Sequence, residues 1–306
     1  MKRKLAGSLV IILLLSVALV YILIPRELII SSIVPVHCNA EGAFRVLGEE
    51  SYWTNGLRLT GRQGAPYNLR IRGKVFHAME ISVERGDDSL LSSFTLLNLG
   101  RIDSTGLQWK CSYPSSLNPL RRVQQYRRSV ALKQFMDSSL SRMRLFLEKK
   151  ENVYGMPVQD AMSKDVSLLV TKFQTASYPS VPEIYRSVQA IRTYIASQGA
   201  REVNYPMLHV SEDKGKGFES MVGISVDREL NGNALIVPKR YVPWKIVVGE
   251  VRGGPYTAEN AMNGLQQYIS DFHLMPMGLP FQSLVTERDR EPDTTRWVTR
   301  VVQAVP

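Results

Sequence analysis

The chain has 306 residues, of which 44% are hydrophobic and 22% are charged. This length and mixture exclude a disulfide miniprotein, a coiled coil and a disordered tail, and they predict two domains with a core each. The formal net charge is +10. The excess of positive charge lies in the first half. Residues 1–150 hold 22 basic and 11 acidic residues, whereas residues 151–306 hold 16 basic and 17 acidic residues.

The N-terminal 25 residues have the pattern of a membrane anchor. Lys2, Arg3 and Lys4 precede an uncharged run over residues 5–24. A helix of that length measures about 30 Å, the thickness of a bilayer core. A cleaved signal peptide is the alternative, but its apolar region is usually about 7–15 residues long and precedes a small-x-small site that is missing here. The basic start predicts a cytoplasmic N-terminus and an extracytoplasmic location for residues 26–306, as in a single-pass inner-membrane protein of the bacterial envelope.

Few residues suit metal or nucleophile chemistry. Cys38 and Cys111 are the only cysteines, and either one disulfide or two separately buried thiols fits them. The four histidines have no metal-ligand spacing, and no zinc, phosphate-loop or nucleophile-elbow motif occurs. We therefore expect no metal and no cofactor. Because the chain is predicted to lie outside the cytoplasm, nucleic acid is not an expected partner. Protein partners are not specified.

Residues 28–150 show a recognisable order of predicted elements. A strand over 28–36 is followed by a short helix with Asn39 as its N-cap and by a long helix over about 118–149. Strand-like runs between the two helices cover 68–71, 74–83, 89–99 and 106–113. The order, with Tyr52-Trp53 after the first helix, resembles the START/polyketide-cyclase-like helix-grip domains. The resemblance implies a cavity for an apolar ligand between sheet and long helix.

Two features of this half have plainer interpretations. The aromatic residues Trp53, Phe76, Trp109 and Phe135 can simply fill a core, which is the interpretation we favour. The long helix carries a basic face that could contact anionic head groups, but a solvated face is the more ordinary explanation.

The second half contains an internal repeat. Tyr194 and Tyr268 lie 74 positions apart, and so do Pro206 and Pro280. Each copy is predicted to be a strand-helix-strand-strand unit. The two copies cover residues 164–228 and 240–306. Side by side, they would bury both helices against a shared antiparallel sheet and leave a central groove near a pseudo-two-fold axis.

Several short motifs in this half resemble a known family. They are Tyr241-Val242-Pro243-Trp244, Gly254-Pro255-Tyr256, Gly278-Leu279-Pro280 and the closing run from Trp297. They are similar to motifs of the GyrI-like, or AraC effector-binding, domains of the SOUL-related superfamily, over residues 154–306. The resemblance implies a groove for small organic ligands, often cationic aromatics, that are bound by a carboxylate and aromatic rings. The predicted fold is α+β: a transmembrane helix within 1–25, a helix-grip domain over 28–150 and this duplicated domain.

Arg300 departs from the family pattern. Counted from Trp297, it stands where relatives place their key glutamate, and its counterpart in the first copy is Met221. A groove with an arginine at that position predicts an anionic or amphipathic ligand. The candidate ligand-binding residues are Tyr185, Glu219, Tyr241, Trp244, Glu250, Tyr256, Phe281, Trp297 and Arg300.

Three functions remain open at this point. The first is a binding module for a small organic molecule. The second is a hydrolase of a reactive small molecule, with Glu219 or Glu250 as general acid or base in the same groove. The third is a non-catalytic structural envelope protein whose grooves are filled by side chains. The sequence patterns favour a protein that is not an enzyme, and we assign no catalytic residue.

Overall fold

The structure is a computed structural model that describes residues 2–59, 67–86, 88–164, 166–213, 215, 217–241 and 243–306. At residues 2–10, 114, 166 and 241 it describes the backbone without the side chain. The chain forms two compact units, Met1–Lys149 and Lys150–Pro306. Both units are α+β, and every strand pair within them is antiparallel.

Helix α1 (Lys2–Leu23) overturns the predicted membrane anchor. Within the part of the chain that the structure describes, no helix combines the length and the hydropathy that a membrane crossing requires. The predicted transmembrane helix is therefore wrong, and with it the inner-membrane localisation and the orientation that were inferred from it.

The C-terminal end of α1 is fixed to the first unit by polar contacts. Buried Arg122 donates a hydrogen bond from Nε to the Ile24 carbonyl oxygen over 2.9 Å. Its guanidinium lies over the Tyr21 ring, 4.9 Å from the ring centroid, and the Tyr21 hydroxyl donates to the Leu117 carbonyl. These contacts join the end of α1 to the start of the long helix α3.

The first unit wraps a five-stranded sheet around α3. Its further elements are β1 (Glu27–Val36), α2 (Ala40–Leu47), a π-helical turn (Tyr52–Gly56), β2 (Asn68–Val75), β3 (Ala78–Arg85), β4 (Asp88–Asn98), β5 (Thr105–Pro114) and α3 (Pro119–Leu147). The strand order is β1-β5-β4-β3-β2. Asn39 is the N-cap of α2, as predicted, because its Oδ1 accepts the Glu41 backbone N–H over 2.8 Å.

The core of the first unit is aromatic. Trp53, Phe94 and Trp109 are fully buried, and the indole N–H of Trp109 donates to the Ser92 hydroxyl over 2.9 Å. Phe76 does not belong to this core, although the sequence predicted it there. It lies at the turn between β2 and β3, is 89% exposed and has a φ of 50°. The predicted strand over 74–83 therefore spans what is a hairpin turn.

The two cysteines of the first unit are buried and are not joined by a disulfide. Cys111 lies on β5 between β1 and β4, opposite Ile30 and Ser92. Burial raises the pKa of its thiol to about 11. A thiol with so high a pKa is a poor nucleophile near neutral pH, so Cys111 contributes packing rather than reactivity.

The second unit is one eight-stranded sheet with helices on one face. Its elements are α4 (Lys150–Tyr154), β6 (Val158–Met162), β7 (Val166–Thr175), α5 (Val181–Ser197), β8 (Met207–Asp213), β9 (Gly217–Val226), β10 (Val237–Tyr241), β11 (Lys245–Arg252), α6 (Pro255–Asp271), β12 (Met277–Leu284) and β13 (Val298–Val305). The strand order is β10-β7-β9-β8-β12-β13-β11-β6. The order is symmetric about the β8–β12 pair, where Leu208 lies opposite Gln282.

Each copy of the repeat exchanges an edge strand with the other. Copy 1 is β7-α5-β8-β9, and copy 2 is β11-α6-β12-β13. The strand that precedes copy 1, β6, pairs with β11 of copy 2, and the strand that precedes copy 2, β10, pairs with β7 of copy 1. This exchange was not predicted from the sequence. It holds the two copies together through both outer edges as well as through the central β8–β12 pair.

Candidate functional site

The candidate site lies on the sheet face opposite the helices. Side chains alternate between the two faces of a strand. On β11, Val247 is fully buried toward the helices, whereas Val248 and Glu250 belong to the other face. On β13, Val301 is likewise buried and Arg300 belongs to the other face.

Strand register aligns the polar residues of this face. Ser283 of β12 lies opposite Arg300 of β13, and Arg300 lies opposite Glu250 of β11. Met207 of β8 extends the same row on the other side of Ser283. Four neighbouring strands therefore present one row of side chains, with the arginine between a hydroxyl and a carboxylate.

A groove of about 970 Å³ lies over this row. We call it the groove, and define it by the residues that line it. They are Pro157, Gln159, Ala161, Met162, Ser163, Lys164, Val203, Asn204, Met207, Val226, Asp227, Ile246, Val248, Glu250, Phe281, Ser283, Arg300 and Val302. One wall is the edge strand β6 and the residues that follow it, and the floor is formed mainly by apolar side chains of β11, β12 and β13, namely Ile246, Val248, Phe281 and Val302.

An ion pair divides the apolar floor of the groove. Arg300 donates from Nε to Glu250 Oε2 over 2.8 Å, and both side chains are about half exposed. The Arg300 guanidinium also lies 5.9 Å from the ring centroid of Tyr205. Because the pair is solvated, either member can exchange its partner for a charged ligand group at low cost.

The structure brings three of the nine predicted site residues together. Glu250, Phe281 and Arg300 line the groove. Trp244 lies beside its β6 wall, because its backbone N–H donates to the Ser163 hydroxyl over 2.7 Å. Tyr256 is 75% exposed at the start of α6. The side chain of Tyr241 lies outside the described residues.

Two further predicted residues are buried on the helix side of the sheet. Tyr185 of α5 accepts a hydrogen bond from the Arg288 backbone N–H over 2.7 Å, and burial raises its pKa to about 12. Trp297 is 4% exposed, and the Arg288 guanidinium lies 5.0 Å from its ring centroid. Arg288 in turn donates to the Thr299 hydroxyl over 2.7 Å, and burial lowers its pKa. These aromatic residues support the loop between β12 and β13 and do not line the groove.

Glu219 belongs to the copy 1 part of the sheet. It accepts a hydrogen bond from Lys172, and this contact and the lysine charge lower the pKa of its carboxyl group. A general base that works near neutral pH needs a raised carboxyl pKa, so the environment of Glu219 acts in the opposite direction. Glu250, the other proposed acid or base, is engaged by Arg300.

Sequence reasoning missed the residues of β6 and of the two positions that follow it. Gln159, Ala161 and Ser163 line the groove, as does Lys164, although no motif marks this segment. The spacing of the repeat could have revealed this segment, because β6 begins eight residues before β7 just as β10 begins eight residues before β11. Among the described residues, no group of three or more His, Cys, Asp or Glu side chains is arranged to hold a metal ion.

Comparisons with known proteins find similarity in structure alone. No family model matches the chain, and no curated protein matches it. The C-terminal domain of EcmrR is 14% identical over 49% of this chain and 98% of that one, with a TM-score of 0.43. SAV2435 bound to tetraphenylphosphonium is 12% identical over 49% and 94%, with a TM-score of 0.33.

A third structure covers a smaller share of the chain. A START superfamily protein from Mycobacterium smegmatis is 17% identical over 39% of this chain and 94% of that one, with a TM-score of 0.26. All three TM-scores are below 0.5. At TM-scores below 0.5 they carry no argument about ligand or activity.

Proposed function

We propose that the second unit is a binding module that holds a small amphipathic molecule in the groove. The observation that carries the proposal is an open groove of about 970 Å³ with an apolar floor and one ion pair across it. Ligand sites in proteins are typically about 300–1,000 Å³ and combine an apolar lining with a few placed polar groups. A groove of this size also favours binding over the alternative of a structural protein with filled grooves.

The charges of the lining indicate the chemistry of the ligand. Lys164 and Arg300 are cationic, and Asp227 and Glu250 are anionic. A ligand with a polar or anionic end can pair with Arg300 in place of Glu250, while its apolar body covers Val248 and Phe281. An apolar body with one polar end satisfies both parts of the lining, whereas a highly charged ligand would leave the floor without contacts.

Titration with 8-anilinonaphthalene-1-sulfonate tests this proposal on the full chain. The probe is amphipathic and anionic, and its fluorescence rises in an apolar environment. Ser283→Phe places a ring in the groove, and Ser211→Phe places the same ring on β8, on the same sheet face but outside the groove lining. We expect saturable binding that Ser283→Phe weakens about tenfold, close to 1.4 kcal/mol, and that Ser211→Phe leaves within about twofold.

Two results would contradict the proposal. One is the absence of saturable probe fluorescence in the unaltered chain. The other is an equal response of the two variants, which would place the bound probe elsewhere. Native mass spectrometry of the purified chain adds an independent readout, because a small molecule that co-purifies with the chain and is lost in Ser283→Phe would supply the mass of the natural ligand.

A further inference from the structure

A second cavity lies in the first unit, between α3 and the turn that joins β3 to β4. Its volume is about 360 Å³. The lining residues are Arg85, Asp88, Gln124, Arg127, Arg128 and Ala131. We call it the arginine pocket. It belongs to a different unit from the groove, so a ligand site in it is independent of the proposed function.

Helix geometry explains why α3 forms one side of this pocket. Residues three, four and seven positions apart share a face of an α-helix. Gln124, Arg127, Arg128 and Ala131 have that spacing, so they point toward the same side. Ala131 is small, and it leaves space where a longer side chain would fill the pocket between the two arginines and the β3–β4 turn.

Two of the three arginines are held in place by contacts with their neighbours. Arg128 Nη1 donates to Asp88 Oδ2 over 2.6 Å. The Arg85 guanidinium lies 5.5 Å from the ring centroid of Tyr67. A cation–π contact orients a guanidinium without neutralising it. With three cations and one carboxylate, the pocket keeps a formal charge of +2.

The cavity becomes too narrow for a ligand further inside the unit. Behind Arg85, Asp88 and Arg128 lies a void of about 20 Å³ between Tyr67 and Leu132, which is the space of about one water molecule. An apolar ligand could not pass into the core by this route. A ligand of the arginine pocket must therefore be one that the polar outer part can satisfy by itself.

We propose that the arginine pocket binds the phosphate group of a small phosphorylated molecule. A guanidinium presents donors in a planar fork that matches a phosphate, and several arginines around one cavity can share its oxygen atoms. The side-chain amide of Gln124 adds a neutral donor at the same wall. The volume of about 360 Å³ is enough for a small molecule that carries the phosphate.

Isothermal titration of the full chain with inorganic pyrophosphate at constant ionic strength tests the assignment. We expect saturable binding that Arg127→Gln weakens about tenfold. Arg121→Gln is the matched control, because it removes the same charge from the same helix at a residue that does not line the pocket. It should leave the affinity within about twofold. Ala131→Leu fills the pocket without a change in charge, and it should also weaken binding about tenfold.

The three variants separate a built pocket from general attraction to a basic helix. Equal weakening by Arg121→Gln and Arg127→Gln would overturn the proposal, because a diffuse field does not distinguish the two positions. Unaltered affinity in Ala131→Leu, or no saturable heat in the unaltered chain, would overturn it as well. Thermal melts of Arg121→Gln and Arg127→Gln should match that of the unaltered chain, since both arginines are exposed.

Discussion

The two copies of the repeat follow one backbone plan but differ in what covers them. Gly264 in α6 of copy 2 corresponds to Ala190 in α5 of copy 1. A Cβ atom at Gly264 would lie 2.1 Å from the Tyr154 carbonyl oxygen, whereas Ala190 is exposed. The glycine is therefore required by the close approach of the chain at Tyr154, and copy 1 has no such approach at Ala190.

The covering segments explain this difference. The chain from α4 to β6 passes over copy 2, where Tyr154 packs on the Tyr268 ring and Met156 occupies the space above Gly249. Copy 1 is covered instead by the segment before β10, where Ile236 joins the core and the Tyr194 hydroxyl donates to the Asn231 carbonyl. Each copy is thus completed by the segment that leads into the other.

The sheet face opposite the helices shows the same divergence. The strand positions of Glu250 and Arg300 in copy 2 correspond to those of Lys172 and Met221 in copy 1. In copy 2 the arginine and the carboxylate lie directly opposite each other. In copy 1 the lysine pairs with Glu219 further along the neighbouring strand. The duplication therefore supplies a common frame, and the two copies carry different charged residues on it.

The largest effect is expected from Gly264→Ala, which gives copy 2 the residue of copy 1. Alanine is normally better in a helix by about 1 kcal/mol, but here its Cβ would meet the Tyr154 backbone. We expect a net loss of about 3 kcal/mol in the free energy of unfolding, the upper end of the range for an overfilled site. Urea denaturation of the full chain measures it.

The reverse exchange, Ala190→Gly, is the matched control for that prediction. At an exposed helix position it should cost about 1 kcal/mol, the difference in helix propensity alone. A stable Gly264→Ala protein would show that Tyr154 can move aside, and the account of α4 as a tightly fitted cover would then fail. Because α4 leads into β6, a displaced cover should also weaken probe binding in the groove.

The second largest effect on stability is expected from an arginine of copy 1 that pairs with two carboxylates and has no charged counterpart in copy 2. Arg192 of α5 donates to Glu202 over 2.8 Å and to Glu287 of the β12–β13 loop, while the corresponding residue of α6 is Gln266. Arg192→Gln should cost about 2 kcal/mol of unfolding free energy, since partly buried bonds to carboxylates are lost and solvent exposure reduces their value. Gln266→Met is the control, with an expected change below about 0.5 kcal/mol.

The ion pair between Arg192 and Glu287 also makes the stability depend on pH. Arg192 holds the pKa of Glu287 below its ordinary value of about 4.5 in the folded chain. A carboxyl group with a lowered folded pKa stabilises the fold above the unfolded pKa, and this stabilisation is lost as the pH falls through the folded pKa. Between about pH 6 and pH 3, the unaltered chain should lose more stability than Arg192→Gln. Parallel pH curves would contradict this assignment.

Sequence patterns predicted the elements whose own residues determine them. The predicted strand-helix-strand-strand order corresponds to β7-α5-β8-β9 in copy 1 and to β11-α6-β12-β13 in copy 2, because apolar periodicity marks these elements. Strands β6 and β10 were missed. Each has five residues and no clear alternation, and β6 finds its partner about 90 residues away in sequence, from Val158 to Gly249. Tertiary pairing determines such edge strands, and local pattern does not.

The sequence could predict those groove residues whose sheet face follows from the alternation of side chains along a strand. Glu250 and Arg300 were both proposed as site residues, and strand register places them opposite each other. Alternation also indicates that Trp297, three positions before Arg300, belongs to the other face, which is where the structure has it. Aromatic residues alone predict binding residues poorly, because an aromatic side chain can pack in the core as well as contact a ligand. Tyr185 and Trp297 are buried in the core.

The smallest effect on stability is expected from Arg300→Met, which gives copy 2 the residue of copy 1 in the groove. The Arg300–Glu250 pair is half exposed, so its loss should change the free energy of unfolding by less than about 1 kcal/mol. The affinity for 8-anilinonaphthalene-1-sulfonate should nevertheless fall about tenfold, because the sulfonate loses its cation.

Lys172→Met is the matched control, because it breaks the exposed ion pair of copy 1. It should change the affinity by no more than about twofold and the free energy of unfolding by no more than about 1 kcal/mol. An equal loss of affinity in both variants would mean that the probe responds to overall charge, and the functional difference between the copies would then disappear.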